Sequence, residues 1–148
     1  MKELILCGTR HYNDSNMPHQ NRDAVRLVID ECNPQVVLEE WSEAQKAPSG
    51  VAAVCNEKGV TWNSIGTPNT QEYATYDGIY LGFPLSAKIP QYGPIDTQEK
   101  RENAMCQNIA AAMSSIDIGI VVIGVAHLHS MFLKLSREFR VKGYEICT

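Results

Sequence analysis

The sequence predicts an α/β fold of three layers, with a mainly parallel central sheet and helices on both faces. Short apolar runs typical of buried strands alternate along the chain with segments whose apolar residues recur at helical spacing. Strands that alternate with helices are joined by right-handed crossovers, which make neighbouring strands parallel. The 148 residues are about the usual length of one domain, so we expect a single domain over residues 1–148.

Residues 1–62 contain three predicted strands and two predicted helices. Short apolar runs predict the strands at Leu4–Cys7, Val36–Leu38 and Val60–Trp62. Apolar residues on one helical face predict a helix over residues 21–30. Asn33 and Pro34 end that helix, because proline disfavours helical geometry in the residue before it. A weaker helix is predicted over residues 42–58.

A segment without periodicity follows, over residues 65–95. It is rich in tyrosine, proline and glycine. Loops of this length in a compact domain are usually lids or binding loops, although the aromatic residues could equally cover the edge of the core. The sequence leaves both interpretations open.

The last third of the chain predicts two helices and two strands. Asp96 and Glu99 have the spacing of a capping box, which predicts a helix that continues through the alanine-rich run near residue 110. Ile118–Ile123 is the most apolar strand and is expected at the centre of the sheet. Helical spacing then predicts a helix over residues 127–142, ended by a glycine, and a last strand over residues 144–147.

Composition excludes several classes of function. A net charge of −4 argues against a nucleic-acid-binding surface, and no apolar run is long enough to span a membrane. The cysteines are odd in number, widely spaced and free of CxxC pairs: Cys7, Cys32, Cys55, Cys106 and Cys147. Such cysteines are typical of reduced core thiols, so we expect a cytoplasmic protein.

Polar residues follow three of the predicted strands. Gly8–His11 and Gly124–His127 both have a glycine, two residues and a histidine directly after an apolar strand. The pair Glu39-Glu40 follows the second strand in sequence. Because ligands bind at the carboxyl ends of strands in open parallel sheets, we predict a shared polar site at this edge. The glycines are expected to allow sharp turns there.

Two chemical schemes fit these residues. His11, Glu39 and His127 could hold a divalent transition metal, zinc or manganese, with an open position for water, and Glu40 would act as general base. Without a metal, His11 would be the base and a glutamate would orient it. Neighbouring strand residues face opposite sides, and we expect Glu39 to be the one that faces the site.

Arg101 is a further candidate for the site. Near the start of its helix, its guanidinium could bind a substrate carboxylate or phosphate, or stabilise an oxyanion. The alternative is a salt bridge to Glu99 or Glu102 on a solvated helix. His129 is expected to point away from His127, because residues two apart on a helix diverge.

Four segments in this order resemble the signature of the TraB/Tiki, erythromycin-esterase and ChaN superfamily: Gly8-Thr9-Arg10-His11, Leu38-Glu39-Glu40, Arg101-Glu102-Asn103-Ala104-Met105 and Gly124-Val125-Ala126-His127. The resemblance implies an α/β fold with its site at the strand ends and a hydrolase activity, metalloprotease in some branches and esterase in others. One branch binds haem. The chain lacks the long helical insertions of several branches. We therefore expect a hydrolase of ester or amide bonds in a small-molecule or peptide substrate.

Two other classes of function remain open. Residues 5–14 are also similar to the start of the SLOG nucleotide-binding family, but the chain has no Gly-Gly pair or GxGxxG turn to bind phosphate. The histidines could instead be axial ligands of haem in a non-catalytic protein. The aromatic segment over residues 65–95 could also serve as an interface in a homo-oligomer.

Overall fold

The computed structural model describes residues 1–9, 17–41, 50–65 and 94–146, and for residues 17–21, 94–98, 100 and 101 only the backbone. The strands are β1 (Glu3–Thr9), β2 (Val36–Glu39), β3 (Thr61–Ser64), β4 (Ile118–Gly124) and β5 (Arg140–Glu145). The helices are α1 (Met17–Cys32), α2 (Gly50–Lys58), α3 (Pro94–Ala112) and α4 (Val125–Leu135). The strands form one sheet in the order β3-β2-β4-β1-β5, and every neighbouring pair is parallel. The predicted α/β class is confirmed.

β4 is the central strand, as its apolar sequence predicts. It pairs with β1 on one side and β2 on the other, and all its residues after Ile118 are buried. A parallel strand in the middle of a sheet is covered on both faces, which is why it can be apolar at every position. The three strands that precede the polar motifs, β2, β4 and β1, are therefore direct neighbours.

The sheet separates two layers of core. On the α1–α2 face, the core is formed mainly by Ile5, Cys7, Val25, Ile29, Val37, Val51, Val54, Cys55, Ile120 and Val122. On the α3–α4 face, it is formed mainly by Leu4, Leu6, Val36, Leu38, Met105, Ile109, Val121, Ile123, Met131 and Leu135. Alternate residues of each strand enter opposite layers, as the pleat requires.

The predicted helix over residues 127–142 is wrong in its second half. α4 ends at Leu135, and residues 140–145 form β5, an edge strand paired with β1. Gly143 does not end a helix but lies in β5 opposite Leu6. Phe139 is buried at helical spacing from Leu135, so the periodicity extends past the true helix end. The charged, exposed residues of an edge strand resemble the polar face of a helix, so the sequence pattern does not show where α4 ends and β5 begins.

α3 begins at Pro94, two residues before the predicted cap at Asp96. Proline suits the first turn of a helix, because the N–H that it lacks has no intrahelical partner there. Residues 42–49 of the predicted second helix lie outside the described residues. So does the predicted lid or cover at residues 65–95, apart from Ile65, which is buried after β3, and the first turn of α3.

Two further findings concern the described helices and cysteines. Among the described helices, none is both long and apolar enough to cross a membrane. Four cysteines within the described residues are free thiols: Cys7, Cys32, Cys55 and Cys106. Cys147 lies outside the described residues.

Candidate functional site

The carboxyl ends of β2, β4 and β1 lie side by side at one edge of the sheet, as the shared-site prediction requires. Glu39 and Glu40 come at the end of β2, and His127 lies two residues into α4, which follows β4 directly. His11 follows β1 but lies outside the described residues. The structure thus brings two of the three predicted motifs together.

Glu40, rather than Glu39, lies beside His127. The Glu40 carboxylate places Oε2 3.5 Å from His127 Nε2. Its other oxygen, Oε1, accepts a 3.0 Å hydrogen bond from the backbone N–H of Gly124. Along β2 the side chains alternate, so that Leu38 enters the α3–α4 face and Glu40 follows it on that side.

Glu39 lies on the other face of the sheet, which reverses the expectation that Glu39 faces the site. It is buried, and its Oε1 accepts a 2.9 Å hydrogen bond from Trp62 Nε1, whose ring packs against the core of the α1–α2 face. The reason is register: Val37 enters the α1–α2 core, and the residue two positions on shares its side.

His127 is 5% exposed and lies between two carboxylates. Its Nδ1 is 2.8 Å from Glu102 Oε2 on α3, and its Nε2 faces Glu40. The exposed His129, two residues further along α4, points away from this site, as predicted. Nδ1 of the imidazole therefore contacts α3, and Nε2 faces the end of β2.

Glu102 is the site residue that the sequence analysis missed. Apart from its place in the Arg101–Met105 segment, its predicted role is that of an alternative partner of Arg101 on a solvated helix, but it is 2% exposed. Its spacing carried a signal, since Glu102 lies three residues before Met105 and seven before Ile109 in the buried stripe of α3. An acidic residue in an apolar stripe is buried and needs partners, because an isolated buried charge is very costly.

Four residues join α3 to α4 in what we call the Glu102 cluster: Glu102, His127, Ser130 and Lys134. Ser130 Oγ donates a 2.6 Å hydrogen bond to Glu102 Oε1. Lys134 Nζ lies 3.4 Å from the same oxygen and 2.9 Å from Glu99 Oε1. The cluster therefore surrounds both oxygens of Glu102 with donors.

The surroundings of Glu102 favour its charged form. Burial raises the pKa of the Glu102 carboxyl, but hydrogen bonds from His127 and Ser130 and the nearby charges of His127 and Lys134 outweigh burial and lower it. An ionised carboxylate only accepts hydrogen bonds, so His127 Nδ1 carries the proton in the bond between them. Burial lowers the pKa of the Lys134 ammonium. Its bond to Glu99 and the charges of Glu99 and Glu102 raise this pKa by more than burial lowers it, so the net shift is upward. Lys134 thus stays a cation.

Gly8 of the first GxxH motif places α4, and with it His127. A Cβ at this position would lie 3.0 Å from Leu128 Cδ2 and 3.3 Å from the backbone Cα of Val125. Gly8 lies inside β1, opposite Ile123, so it permits a close approach of the first turn of α4 rather than a sharp turn of its own chain. The prediction that Gly8 allows a sharp turn of the chain is therefore wrong.

Arg101 is part of α3, and its side chain lies outside the described ones. Within the described residues, no group of three or more His, Cys, Asp or Glu side chains is arranged to hold a metal ion. The predicted ligand set of His11, Glu39 and His127 is not assembled there, because His11 is outside the described residues and Glu39 lies on the opposite face.

Comparisons of the chain with protein-family models, with curated proteins and with solved structures give no match. The resemblance to the TraB/Tiki, erythromycin-esterase and ChaN superfamily therefore stays a prediction, and the candidate site is defined by its own geometry.

Proposed function

We propose that this protein is a small hydrolase of ester or amide bonds whose site lies at the carboxyl ends of β2, β4 and β1. The observation that carries the proposal is the buried imidazole of His127, with Nδ1 on Glu102 and Nε2 turned towards Glu40. A carboxylate–imidazole pair at the ligand-binding edge of a parallel sheet is suited to general base catalysis. The four-segment resemblance supports the same class of reaction.

In this reaction His127 takes a proton from the attacking water at Nε2 as the water oxygen bonds to the carbonyl carbon. Glu102 accepts the Nδ1–H bond throughout and stabilises the charge that forms on the ring, as a buried carboxylate does in hydrolytic triads. Glu40, whose carboxylate lies beside Nε2, orients the water. His127 then returns the proton to the leaving oxygen or nitrogen. Arg101 is proposed to stabilise the oxyanion of the tetrahedral intermediate.

In an alternative, metal-dependent scheme, His127 Nε2 would bind a divalent metal instead of acting as the base, and the site offers two of the donors. His127 Nε2 and Glu40 Oε2 lie 3.5 Å apart, close to the separation of about 3.4 Å between two ligands of a tetrahedral zinc ion. The Nδ1 bond to Glu102 is also the usual support of a metal-binding histidine. His11 is proposed as the third ligand. Glu40 thus replaces Glu39 in the ligand set that the sequence predicts. When bound, zinc or manganese would make hydroxide available at neutral pH.

The proposed setting is the cytoplasm, because free, widely spaced cysteines are typical of a reducing compartment. The proposed substrate is a small molecule or peptide. With a net charge of −4, we propose no role in binding nucleic acid.

Hydrolysis by purified variants tests the function. We expect the wild type to cleave members of a panel of p-nitrophenyl esters and amino-acid p-nitroanilides, and His127→Ala to lose about 100-fold or more in kcat. His129→Ala is the matched control, since it removes an exposed imidazole from the same helix. A wild type no faster than His127→Ala across the panel would contradict the proposal.

Elemental mass spectrometry after dialysis tests the metal. The metal-dependent scheme predicts near-stoichiometric zinc or manganese in the wild type and in His129→Ala, and its loss in His11→Ala, His127→Ala and Glu40→Gln. Full hydrolytic activity in protein that contains no metal would instead assign the reaction to the histidine base alone.

A further inference from the structure

The Glu102 cluster extends from the buried site towards solvent along one face of α4. His127, Ser130 and Lys134 lie at positions i, i+3 and i+7 of the helix, so they share the side that faces α3. The exposed fraction of the side chain rises from 7% at His127 to 20% at Lys134. The apolar residues Met131 and Leu135 pack beside this polar stripe.

The two oxygens of Glu102 have separate partners. Oε2 accepts from His127 Nδ1 at 2.8 Å, while Oε1 accepts from Ser130 Oγ at 2.6 Å and lies 3.4 Å from Lys134 Nζ. A carboxylate bonded through one oxygen alone can rotate about its terminal torsion, which is broad. With the second oxygen held, rotation would break both bonds, so Oε2 stays on Nδ1.

The orientation of Glu102 decides where the proton of His127 lies. A neutral imidazole carries one proton, so that one ring nitrogen donates and the other accepts. With Nδ1 donating to Glu102, Nε2 is the accepting nitrogen of the neutral ring, and it lies 3.5 Å from Glu40 Oε2. If the carboxylate turned away, the proton could move to Nε2 and bond to Glu40, which would remove the base.

We propose that Ser130 and Lys134 are positioning residues, which hold Glu102 so that His127 keeps its proton on Nδ1 and directs Nε2 towards the end of β2. The catalytic consequence rests on the proposed hydrolase function, whereas the position of the proton does not. Lys134 is itself held by Glu99 and by Asn103, whose Oδ1 accepts a 3.1 Å hydrogen bond from Nζ. Its charge therefore stays beside Glu102 at the solvent end of the stripe.

Nitrogen-15 NMR of histidine-labelled protein reads the proton position directly. Spectra are recorded in chelator-dialysed protein in mildly alkaline buffer, and His127→Gln assigns the resonances. We expect the wild-type Nε2 to resonate as an unprotonated nitrogen and Nδ1 as a protonated one. In Ser130→Ala, the Nε2 signal should shift towards the protonated position, and Ser130→Thr should restore it.

Ser136→Ala is the matched control, because Ser136 Oγ, at the C-cap of α4, also donates a 2.6 Å hydrogen bond, but to the carbonyl of Phe132. It should leave the His127 spectrum unchanged. Lys134→Gln should shift Nε2 in the same direction as Ser130→Ala, while Lys58→Gln, which removes an ion pair with Asp30, should not. A protonated Nε2 in the wild type, or identical spectra in Ser130→Ala and Ser136→Ala, would overturn the proposal.

Kinetics separate this proposal from the proposed function. On a p-nitrophenyl ester that the wild type cleaves, Ser130→Ala should lower kcat about 10-fold, as removal of an outer-shell partner does, and leave KM unchanged. If no substrate is cleaved but the Nε2 signal moves as expected, the positioning role stands and the hydrolase function fails. If the ester is cleaved and the signal does not move, the hydrolase stands and the positioning role fails.

Discussion

At the scale of single residues, the site depends on three ionisable side chains that are almost wholly buried. His127, Glu40 and Glu102 have side chains between 3% and 11% exposed. Such groups are stable only when each has partners, since breaking a buried pair costs about 3–5 kcal/mol. The partners come from three separate elements, namely the end of β2, α3 and α4. The same partners determine the direction in which the imidazole faces.

The two adjacent glutamates should differ in their importance. We expect Glu40→Gln to lower kcat about 100-fold, because Glu40 lies beside Nε2 of His127. Glu39→Gln should lower it by less than about 10-fold, since the amide oxygen of glutamine can still accept the bond from Trp62. Steady-state kinetics of both variants on one substrate make the comparison. Equal losses, or a larger loss in Glu39→Gln, would contradict the assignment of Glu40 to the site.

At the scale of elements, the placement of α4 depends on its contact with β1. The helix starts directly after β4 and packs its first turn over Gly8, where a methyl group would approach both Leu128 and the backbone of Val125. Side chains can shift by a few tenths of an ångström, but the backbone of a packed helix yields less easily. The glycine of the first motif thus sets the position of the histidine of the second.

Replacement by alanine should therefore affect the free energy of unfolding differently at two glycines of neighbouring strands. Gly8→Ala should lower the free energy of unfolding by about 1–3 kcal/mol through overpacking and displace the first turn of α4. Gly143→Ala is the control: its nearest neighbour, Phe132 Cδ2, is at 3.4 Å, and the loss of glycine's extra unfolded-state freedom adds at most about 1 kcal/mol of stability. Urea unfolding measures the free energy of unfolding of both variants. A neutral Gly8→Ala would show that α4 does not need this close approach.

At the scale of the whole molecule, the core layer between the sheet and helices α1 and α2 contains two buried thiols, Cys7 on β1 and Cys55 on α2. Cys7 and Cys55 are both fully buried. Burial, with a smaller contribution from Cys32, raises the pKa of Cys7 from 9.0 to about 12. Burial and then Glu39 raise the pKa of Cys55 to about 11. The folded chain therefore retains thiol protons that the unfolded chain releases.

This difference in proton binding makes stability depend on pH. Between pH 9.0 and about 12 the unfolded chain has lost the Cys7 proton and the folded chain has not, so the free energy of unfolding should fall as the pH rises. Below pH 9.0 the contribution is fully present. Each thiol contributes a slope of at most about 1.4 kcal/mol per pH unit. Urea titrations from pH 8 to 11 should show that the free energy of unfolding falls less steeply with pH in Cys7→Ala than in the wild type. The same dependence on pH in both proteins would contradict the prediction.

Much of the fold could be predicted from local pattern. The apolar run of β4 indicated a central strand, and the strand-end motifs indicated one polar edge. The pattern failed at residues 136–142, where Phe139 continues a helical spacing although the chain has turned into β5. A period read from a few apolar residues does not distinguish a helix end from an edge strand.

Local sequence pattern was enough to predict the α/β class, the central place of β4 and the edge of the sheet that carries His127 and the glutamate pair, because these follow from periodicity and from the direction of parallel strands. That Glu40 faces His127 and that Glu102 holds it became visible in the folded protein alone. Both depend on the register of β2 and on the packing of α3 against α4. Those contacts join residues from 25 to more than 80 positions apart, and local pattern does not record such pairings.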